Sequence, residues 1–180
     1  DFDPIQKAKD YEAFGAAALS ILTEEDFFLG SIEYLKEVKA ITSLPILRKD
    51  FMVDEYQIYE AKLMGADCIL LIASILSDSQ ITAFVTLAEE LELDYLIEVH
   101  DEVELSRVED FQEAMIGVNN RDLKTFTVDL DNSVRLKHKF EHSNIFIAES
   151  GIKNQDDIDY LKSHQIHAFL IGESLMRDSF

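Results

Sequence analysis

Short, continuously hydrophobic runs that recur about every 20 to 30 residues constrain the fold of this chain more than any other feature. Each run is followed by a segment with the periodicity of an amphipathic helix. Such runs are typical of strands that are buried on both faces of a parallel sheet covered by helices. The alternation predicts an α/β fold of seven strand–helix units. The runs are Ala16–Leu22, Pro45–Lys49, Cys68–Leu76, Tyr95–Val99, Ala114–Asn119, Ile145–Ala148 and Ala168–Ile171.

Capping residues predict where the helices begin and end. Gly15 and Gly65 stand where the first and third helices should end, and Glu104 stands three residues after Asp101 as in a capping box. The predicted N-caps are Asp3 (before Pro4), Ser31, Asp54, Ser77, Asp101, Asp129 and Asn154. The third helix should bury a stripe formed by Ile58, Ala61, Leu63 and Met64.

Two architectures fit alternating strands and helices: an open doubly wound sheet and a closed (β/α)8 TIM barrel. No Gly-x-Gly-x-x-Gly motif follows any of the runs, so the dinucleotide-binding form of the open sheet lacks its fingerprint. A barrel usually needs eight strands and about 250 residues. We therefore predict a single TIM-barrel domain over residues 1–180 that holds strands 2–8 and is truncated at both ends. We expect the natural protein to add a strand upstream and an amphipathic helix downstream.

The composition excludes several kinds of partner. Sixteen Lys and Arg against 36 Asp and Glu give a net charge of −20, which disfavours nucleic acids and anionic membranes. No apolar run reaches the roughly 18 to 20 residues of a membrane span, and the N-terminus does not resemble a signal peptide. The single cysteine, Cys68, is expected to be a buried thiol. The chain is predicted to be cytoplasmic, with a small-molecule ligand.

Polar residues follow the predicted strands where a barrel enzyme places its active site. A single polar residue after a strand is more often an ordinary loop residue, but their joint occurrence at one rim predicts a catalytic site. The positions concerned are Lys49, Glu98, Asn119, Glu149 with Ser150 and Gly151, and Gly172 with Glu173. His100 follows Glu98 by two residues and should lie beside it.

Five ordered motifs at these positions resemble the indole-3-glycerol phosphate synthase family. They read Leu-Pro-Ile-Leu-Arg-Lys-Asp-Phe (44–51), Leu-Ile-Glu-Val-His (96–100), Ile-Gly-Val-Asn-Asn-Arg-Asp-Leu (116–123), Ala-Glu-Ser-Gly-Ile (148–152) and Phe-Leu-Ile-Gly-Glu-Ser-Leu-Met-Arg (169–177). Phe28-Leu29-Gly30-Ser31 matches a further loop of the family. The resemblance implies a carbon–carbon lyase of tryptophan biosynthesis that needs no cofactor. It converts 1-(2-carboxyphenylamino)-1-deoxyribulose 5-phosphate into indole-3-glycerol phosphate by ring closure, decarboxylation and dehydration.

The resemblance also implies a role for each catalytic residue. Lys49 would be the general acid that protonates the substrate ketone as the ring closes. Glu98 would act as acid or base in the dehydration. Asn119 cannot titrate, so its amide would hold a substrate hydroxyl or a neighbouring carboxylate. Glu149 would bind the sugar hydroxyls.

Substrate binding is assigned to two further groups of residues. Backbone N–H groups of the two glycine-bearing loops would hold the phosphate, and Arg121 would pair with a carboxylate or contact the substrate. The phosphate loops comprise Ser150, Gly151, Gly172 and Glu173, and the remaining pocket comprises Phe28, Phe51, Leu70, Ile72, Arg121 and Leu123. The family carries a further Glu and Lys on its first strand, followed by a Ser-Pro-Ser-type loop that adds to phosphate binding, and no segment of residues 1–180 matches this strand and loop.

Alternatives remain at this point. One alternative is another phosphate-binding barrel enzyme, such as a phosphoribosyl isomerase, which the pairing of Lys49 with Glu98 disfavours. The other is a non-catalytic fragment that binds phosphate or a partner protein, and such a fragment would keep the same fold. The pairs His138/His142 and His164/His167 have metal-ligand spacing, but no carboxylate pattern completes a metal site. Association with other enzymes of tryptophan biosynthesis stays open.

Overall fold

The structure is a computed structural model that describes residues 2–176 and divides into two compact units. Of the described residues, the first unit comprises 2–72 and 76–95, and the second comprises 73–75 and 96–176. Strands and helices alternate throughout both units. This alternation is the pattern of an incomplete (β/α)8 barrel, so the predicted fold class is confirmed.

The first unit contains three complete strands that pair in chain order. Strand β1 pairs in parallel with β2, and β2 pairs in parallel with β3. Its elements are α1 (Pro4–Ala13), β1 (Leu19–Leu22), α2 (Ile32–Lys39), β2 (Ile46–Lys49), α3 (Glu55–Met64), β3 (Cys68–Ile72) and α4 (Asp78–Glu90). Buried aliphatic side chains, among them Leu35, Ile46 and Ile69, fill the space between these strands and helices.

The second unit follows the same plan. Strands β4, β5 and β6 each pair in parallel with the strand that follows, and Leu96, Ile116 and Leu161 belong to the core of this unit. After a 3₁₀ turn (Ala73–Ile75), its elements are β4 (Asp94–Val99, which begins in the first unit), α5 (Glu102–Val108), β5 (Met115–Asn119), α6 (Asp131–Lys139), β6 (Phe146–Glu149), α7 (Gln155–Ser163), β7 (Ala168–Leu170) and α8 (Glu173–Met176). The run predicted as one strand over Cys68–Leu76 ends at Ile72 and continues as the 3₁₀ turn.

Most of the predicted caps are confirmed. The side chains of Asp3, Ser31, Asp54, Ser77, Asp101 and Asn154 each accept a hydrogen bond from the first turn of the following helix. Gly65 ends α3 in the left-handed conformation with φ 98°, where glycine carries no Cβ penalty. The prediction for Asp129 is wrong, because α6 begins one residue later with Leu130 as its N-cap.

One core prediction in α3 is also wrong. Ile58, Ala61 and Met64 are buried as expected, but the Leu63 side chain is 89% exposed. Helical residues advance by about 100°, so Leu63 lies roughly 160° from Ala61, on the solvent side of the helix. Within residues 2–176, every helix is too short or too polar to cross a membrane.

Candidate active site

Two adjacent cations on β2 point to opposite faces of the strand. Arg48 lies under α3 and is only 2% exposed, whereas Lys49 is half-buried on the other face. Arg48 Nη1 donates to the carbonyl of Gln57 (2.8 Å), and Nη2 donates to Glu60 Oε1 (2.7 Å). Within the first unit, the nearby carboxylates therefore bind Arg48 and not the Lys49 ammonium.

The same arginine connects the ends of β1 and β2. Arg48 Nε donates to Thr23 Oγ1 (3.0 Å), and the Thr23 hydroxyl donates to Asp50 Oδ2 (2.6 Å). Arg48 Nη2 lies 3.3 Å from the same carboxylate oxygen, and Asp50 Oδ1 accepts the N–H of Phe51 (2.7 Å). This buried network holds the backbone on both sides of Lys49. The sequence analysis missed it, because the contacts join residues up to 27 positions apart.

Aromatic side chains predicted to line the pocket meet in the first unit. The rings of Phe28 and Phe51 stack with a centroid distance of 5.6 Å and an angle of 27° between their planes. Leu70 and Ile72 are buried in β3. In the second unit, the Leu123 side chain is 52% exposed.

The loop that carries Phe28 is organised by one carboxylate. Glu24 Oε2 accepts the N–H groups of Phe27 (2.7 Å) and Phe28 (2.9 Å), and Oε1 accepts that of Asp26 (2.9 Å). Desolvation raises the pKa of Glu24, but the three N–H donors outweigh this effect and hold the pKa below its usual range. At Gly30, a Cβ atom would lie 2.3 Å from the carbonyl oxygen of Leu22, so only glycine lets the loop return this closely to β1.

The strand register of the second unit places three predicted catalytic residues on one face. Glu98 on β4 pairs with Gly117 on β5, and Asn119 on β5 pairs with Glu149 on β6. Paired residues of parallel strands point to the same face, and so do residues two apart on one strand. Glu98, Asn119 and Glu149 therefore share a face, and both glutamates are buried.

Gly117 provides the space that the Glu149 carboxylate occupies. A Cβ at this position would lie 2.7 Å from Glu149 Oε2 and 3.0 Å from Glu149 Cδ. The motif at residues 116–123 contains Gly117, but the motif alone does not predict that this residue makes space for a side chain. A glycine inside a strand often marks such a close approach, and that was the available signal.

The consecutive asparagines at the end of β5 have different partners. Asn119 Oδ1 accepts the N–H of Arg121 (3.0 Å), which fixes its amide plane at the end of the strand. Asn120 is buried, donates to the carbonyl of Ser150 (3.2 Å) and accepts from the backbone and hydroxyl of Ser133. Asn120 therefore secures the loop after β6, a role that the sequence analysis missed.

The two loops predicted to bind phosphate are held together in the second unit. The Ser174 hydroxyl after β7 donates to the carbonyl of Ile152 after β6 (2.7 Å). Ser150 and Gly151 both have positive φ, and a Cβ at Gly151 would lie 2.3 Å from Val128 Cγ1. The Glu173 carboxylate accepts from Arg121 Nη2 (3.1 Å).

Two of the histidines with metal-ligand spacing contact each other. His138 Nε2 contacts His164 Nδ1 (3.2 Å) between α6 and α7, and His142 packs against the ring of Phe140. In the described part of the chain, no cluster of three or more His, Cys, Asp or Glu residues could hold a metal ion.

Comparison with known proteins agrees with the motifs. The family model for indole-3-glycerol phosphate synthase matches residues 1–179. The chain is 49% identical over 177 residues to the indole-3-glycerol phosphate synthase of Polaromonas naphthalenivorans, covering 98% of this chain and 67% of that protein. It is 50% identical over 179 residues to that of Lachnoclostridium phytofermentans, covering 99% and 66%. The chain thus spans about two thirds of the length of these relatives.

Solved structures resemble this chain in fold alone. The N-acetylmannosamine-6-phosphate 2-epimerase of Clostridium perfringens has a TM-score of 0.74 at 13% identity, covering 94% of this chain and 77% of that one. The phosphoribosylanthranilate isomerase of Thermotoga maritima has a TM-score of 0.71 at 12% identity, covering 94% and 82%. From the family match and the identity over nearly its whole length, the chain belongs to the indole-3-glycerol phosphate synthase family, whose members are decarboxylating lyases of tryptophan biosynthesis.

Proposed function

We propose that this chain carries out the indole-3-glycerol phosphate synthase reaction on 1-(2-carboxyphenylamino)-1-deoxyribulose 5-phosphate. Ring closure onto the ketone is followed by loss of CO2 and then of water. The observation that carries most weight is the shared face of Glu98, Asn119 and Glu149, with Gly117 making room for the Glu149 carboxylate. Two buried carboxylates on one face of the sheet can serve as separate acid and base groups.

Lys49 is the general acid of ring closure in this proposal. An ammonium can donate a proton to the ketone oxygen and offset the negative charge that develops there. The different contacts of the two cations on β2 support this proposal, because Arg48 binds Asp50 and Glu60 and leaves Lys49 for the substrate. Glu98 acts in the dehydration, Asn119 orients a hydroxyl or carboxylate, and Glu149 binds the sugar hydroxyls.

The phosphate lies at Ser150, Gly151, Gly172 and Glu173 in this proposal. Backbone N–H groups act locally, whereas the distant charges behind the net −20 are screened beyond about 8 Å in physiological salt. The Glu173 carboxylate is engaged by Arg121, which reduces its repulsion of a phosphate. Among residues 2–176, no atom lies within 4 Å of a Cβ built at Gly172, so these residues leave room for a ligand there.

The aromatic part of the substrate is assigned to the remaining pocket residues. The stacked rings of Phe28 and Phe51 offer a face to the anthranilate ring, and Leu70, Ile72 and Leu123 add apolar surface. Arg121 contacts the substrate or serves through its pair with Glu173. We place the protein in the cytoplasm, where tryptophan is made, and association with other enzymes of the pathway would fit this location.

Turnover by variants of the intact natural protein tests the proposal. Formation of the indole ring is followed by its fluorescence after the open substrate is added. Lys49→Ala should lower kcat by about 10²- to 10⁴-fold with little change in binding, because a general acid is lost. Lys49→Arg should not restore the rate, since a guanidinium remains protonated. Lys62→Ala, on the exposed side of α3, is the matched control and should be near normal.

Glu98→Gln distinguishes the two proton-transfer steps. In single-turnover experiments this variant should close the ring and then stall before dehydration, so the cyclised intermediate accumulates. Near-normal turnover in Lys49→Ala, or identical defects in both variants, would contradict the assigned roles. Absence of indole formation by the unmodified intact protein would contradict the proposed function itself.

A further inference from the structure

His100 is held by three contacts immediately after β4. Its Nδ1 lies 3.3 Å from Glu104 Oε1, and its backbone N–H donates to the same oxygen (3.3 Å). Its carbonyl accepts from Asn132 Nδ2 (2.8 Å). Glu104 thus turns back from α5 to His100, and the ring cannot rotate without losing its Nδ1 contact with Glu104.

The other ring nitrogen points toward Glu98. His100 Nε2 lies 3.9 Å from Glu98 Oε2, and the two side chains are only 14% and 7% exposed. This nitrogen is buried and has no hydrogen-bond partner among residues 2–176. A buried donor without a partner is unfavourable, so a small movement of Glu98 toward the ring would be stabilising.

The charged groups around His100 are predominantly acidic. Glu98 comes from β4, Asp101 and Glu104 from the start of α5, and Asp122 from the loop after β5, beside Lys124. The hydrogen bond to Glu104 raises the pKa of His100 above its usual value, against the effect of burial, and the charges of Glu98, Glu104 and Asp101 add to it. The imidazolium form is therefore stabilised relative to that of an ordinary histidine.

We propose that His100 is a positioning residue for Glu98: anchored by Glu104, it presents Nε2–H to Glu98 Oε2 and holds that carboxylate in place for dehydration. The inference rests on the proposed role of Glu98. It deepens that role by adding a Glu104–His100–Glu98 chain of contacts, in which His100 touches no reacting atom. Its effect should fall on the dehydration step and leave ring closure by Lys49 unchanged.

Two amide substitutions test the two ring nitrogens of His100 separately. In His100→Asn the amide nitrogen replaces Nδ1, so contact with Glu104 is kept and contact with Glu98 is lost. In His100→Gln the amide nitrogen replaces Nε2 and keeps a donor toward Glu98. In the intact protein, His100→Asn should lower the dehydration rate by about tenfold or more, and His100→Gln should stay within about threefold of normal. KM and the ring-closure rate should change little in both.

The pH profile adds a readout that a purely structural role would not move. In the natural protein the dehydration rate should fall as the pH rises through the His100 pKa, because the neutral ring holds the carboxylate less strongly. This fall in the dehydration rate with rising pH should be absent from His100→Gln. The inference would be overturned by equal dehydration rates in His100→Asn and the natural protein, or by the same fall in rate with rising pH in His100→Gln.

A nuclear magnetic resonance titration tests the contact without any turnover. The His100 ring should titrate at lower pH in Glu98→Gln and in Glu104→Gln than in the natural protein, because each change removes a neighbouring negative charge. Glu102→Gln, on the exposed side of α5, is the control. An unchanged titration in Glu98→Gln would refute the contact. If the titration shifts but the natural protein forms no indole, the contact stands and the proposed function fails.

Discussion

At the scale of single residues, a glycine determines where the Glu149 carboxylate can lie. Gly117→Ala would place a Cβ 2.7 Å from Glu149 Oε2, so the carboxylate must move. Displacement of a functional group by about 1 Å can cost on the order of 10²-fold in rate. We expect a large loss of kcat with nearly unchanged thermal unfolding, since alanine is tolerated in a strand. Steady-state kinetics and calorimetry provide the measurement.

A double-mutant cycle identifies the cause of that loss. If Gly117→Ala acts through Glu149, combining it with Glu149→Gln should add little to the defect of Glu149→Gln alone. Independent, multiplying defects would show that the alanine acts by another route.

The residues of the candidate site were predictable to different extents. Lys49, Glu98, Asn119 and Glu149 follow from strand ends and motif resemblance, because a strand end can be read from local sequence. The contact of Asn120 with Ser150 joins residues 30 positions apart, and local patterns carry no information about such a partner. The sequence placed His100 beside Glu98, but its anchoring by Glu104 appeared only in the structure.

At the scale of elements, α3 offers a matched pair of leucine-sized residues. Ile58 is fully buried and Leu63 is 89% exposed. Ile58→Ala should lower the free energy of unfolding by about 2–5 kcal/mol, because it removes packed apolar volume and leaves a cavity. Leu63→Ala should change it by less than about 0.5 kcal/mol. Urea denaturation measures both, and equal losses would contradict the orientation of α3.

The loop after β1 should respond to loss of its central acceptor. Glu24→Gln removes the charge and one of the two acceptor oxygens that hold Asp26, Phe27 and Phe28. The stacked rings of Phe28 and Phe51 should become less ordered. We therefore expect KM to rise by about two- to tenfold with a smaller change in kcat. Glu25→Gln, exposed on the same loop, should behave normally.

The same carboxylate gives the loop a pH dependence of known sign. The pKa of Glu24 is lower in the folded protein than in the unfolded chain. The contribution of Glu24 to stability is therefore fully present above its unfolded-state pKa, and it is lost as the pH falls through its folded-state pKa. Loop order, followed by amide exchange of Phe27 and Phe28, should therefore decline only in acid. Loss of order at neutral pH would contradict this assignment.

Caps and periodicity show why elements are easier to predict than their contacts. Asp3, Ser31, Asp54 and Ser77 each bond a backbone N–H two or three residues away, so the information is local. Asp129 was misassigned because it accepts the N–H of Asp131 in a turn just before α6 begins. Both residues lie within two positions of the helix start, where local patterns do not distinguish a cap from a turn.

At the scale of the whole molecule, the net charge of −20 should make stability depend on salt. Like charges repel one another in the compact state, and the Debye length falls from about 30 Å at 0.01 M to about 8 Å at 0.15 M ionic strength. We expect Tm to rise over this range in NaCl. KCl should give the same increase, since screening does not depend on the identity of the cation. A falling Tm, or different effects of the two salts, would argue against long-range repulsion.

The order of strand pairing also bears on how the protein forms during translation. Within each unit, paired strands lie about 20 to 30 residues apart in the sequence. At about 5–20 residues per second, a ribosome makes that much chain in a few seconds. Strand β4 can therefore pair with β5 before β6 is synthesised, and Glu149 is the last of the four catalytic candidates to be made. A pause in translation between β5 and β6 would leave Gly117 and Asn119 on an unpaired edge, the state most open to chaperones and to misfolding.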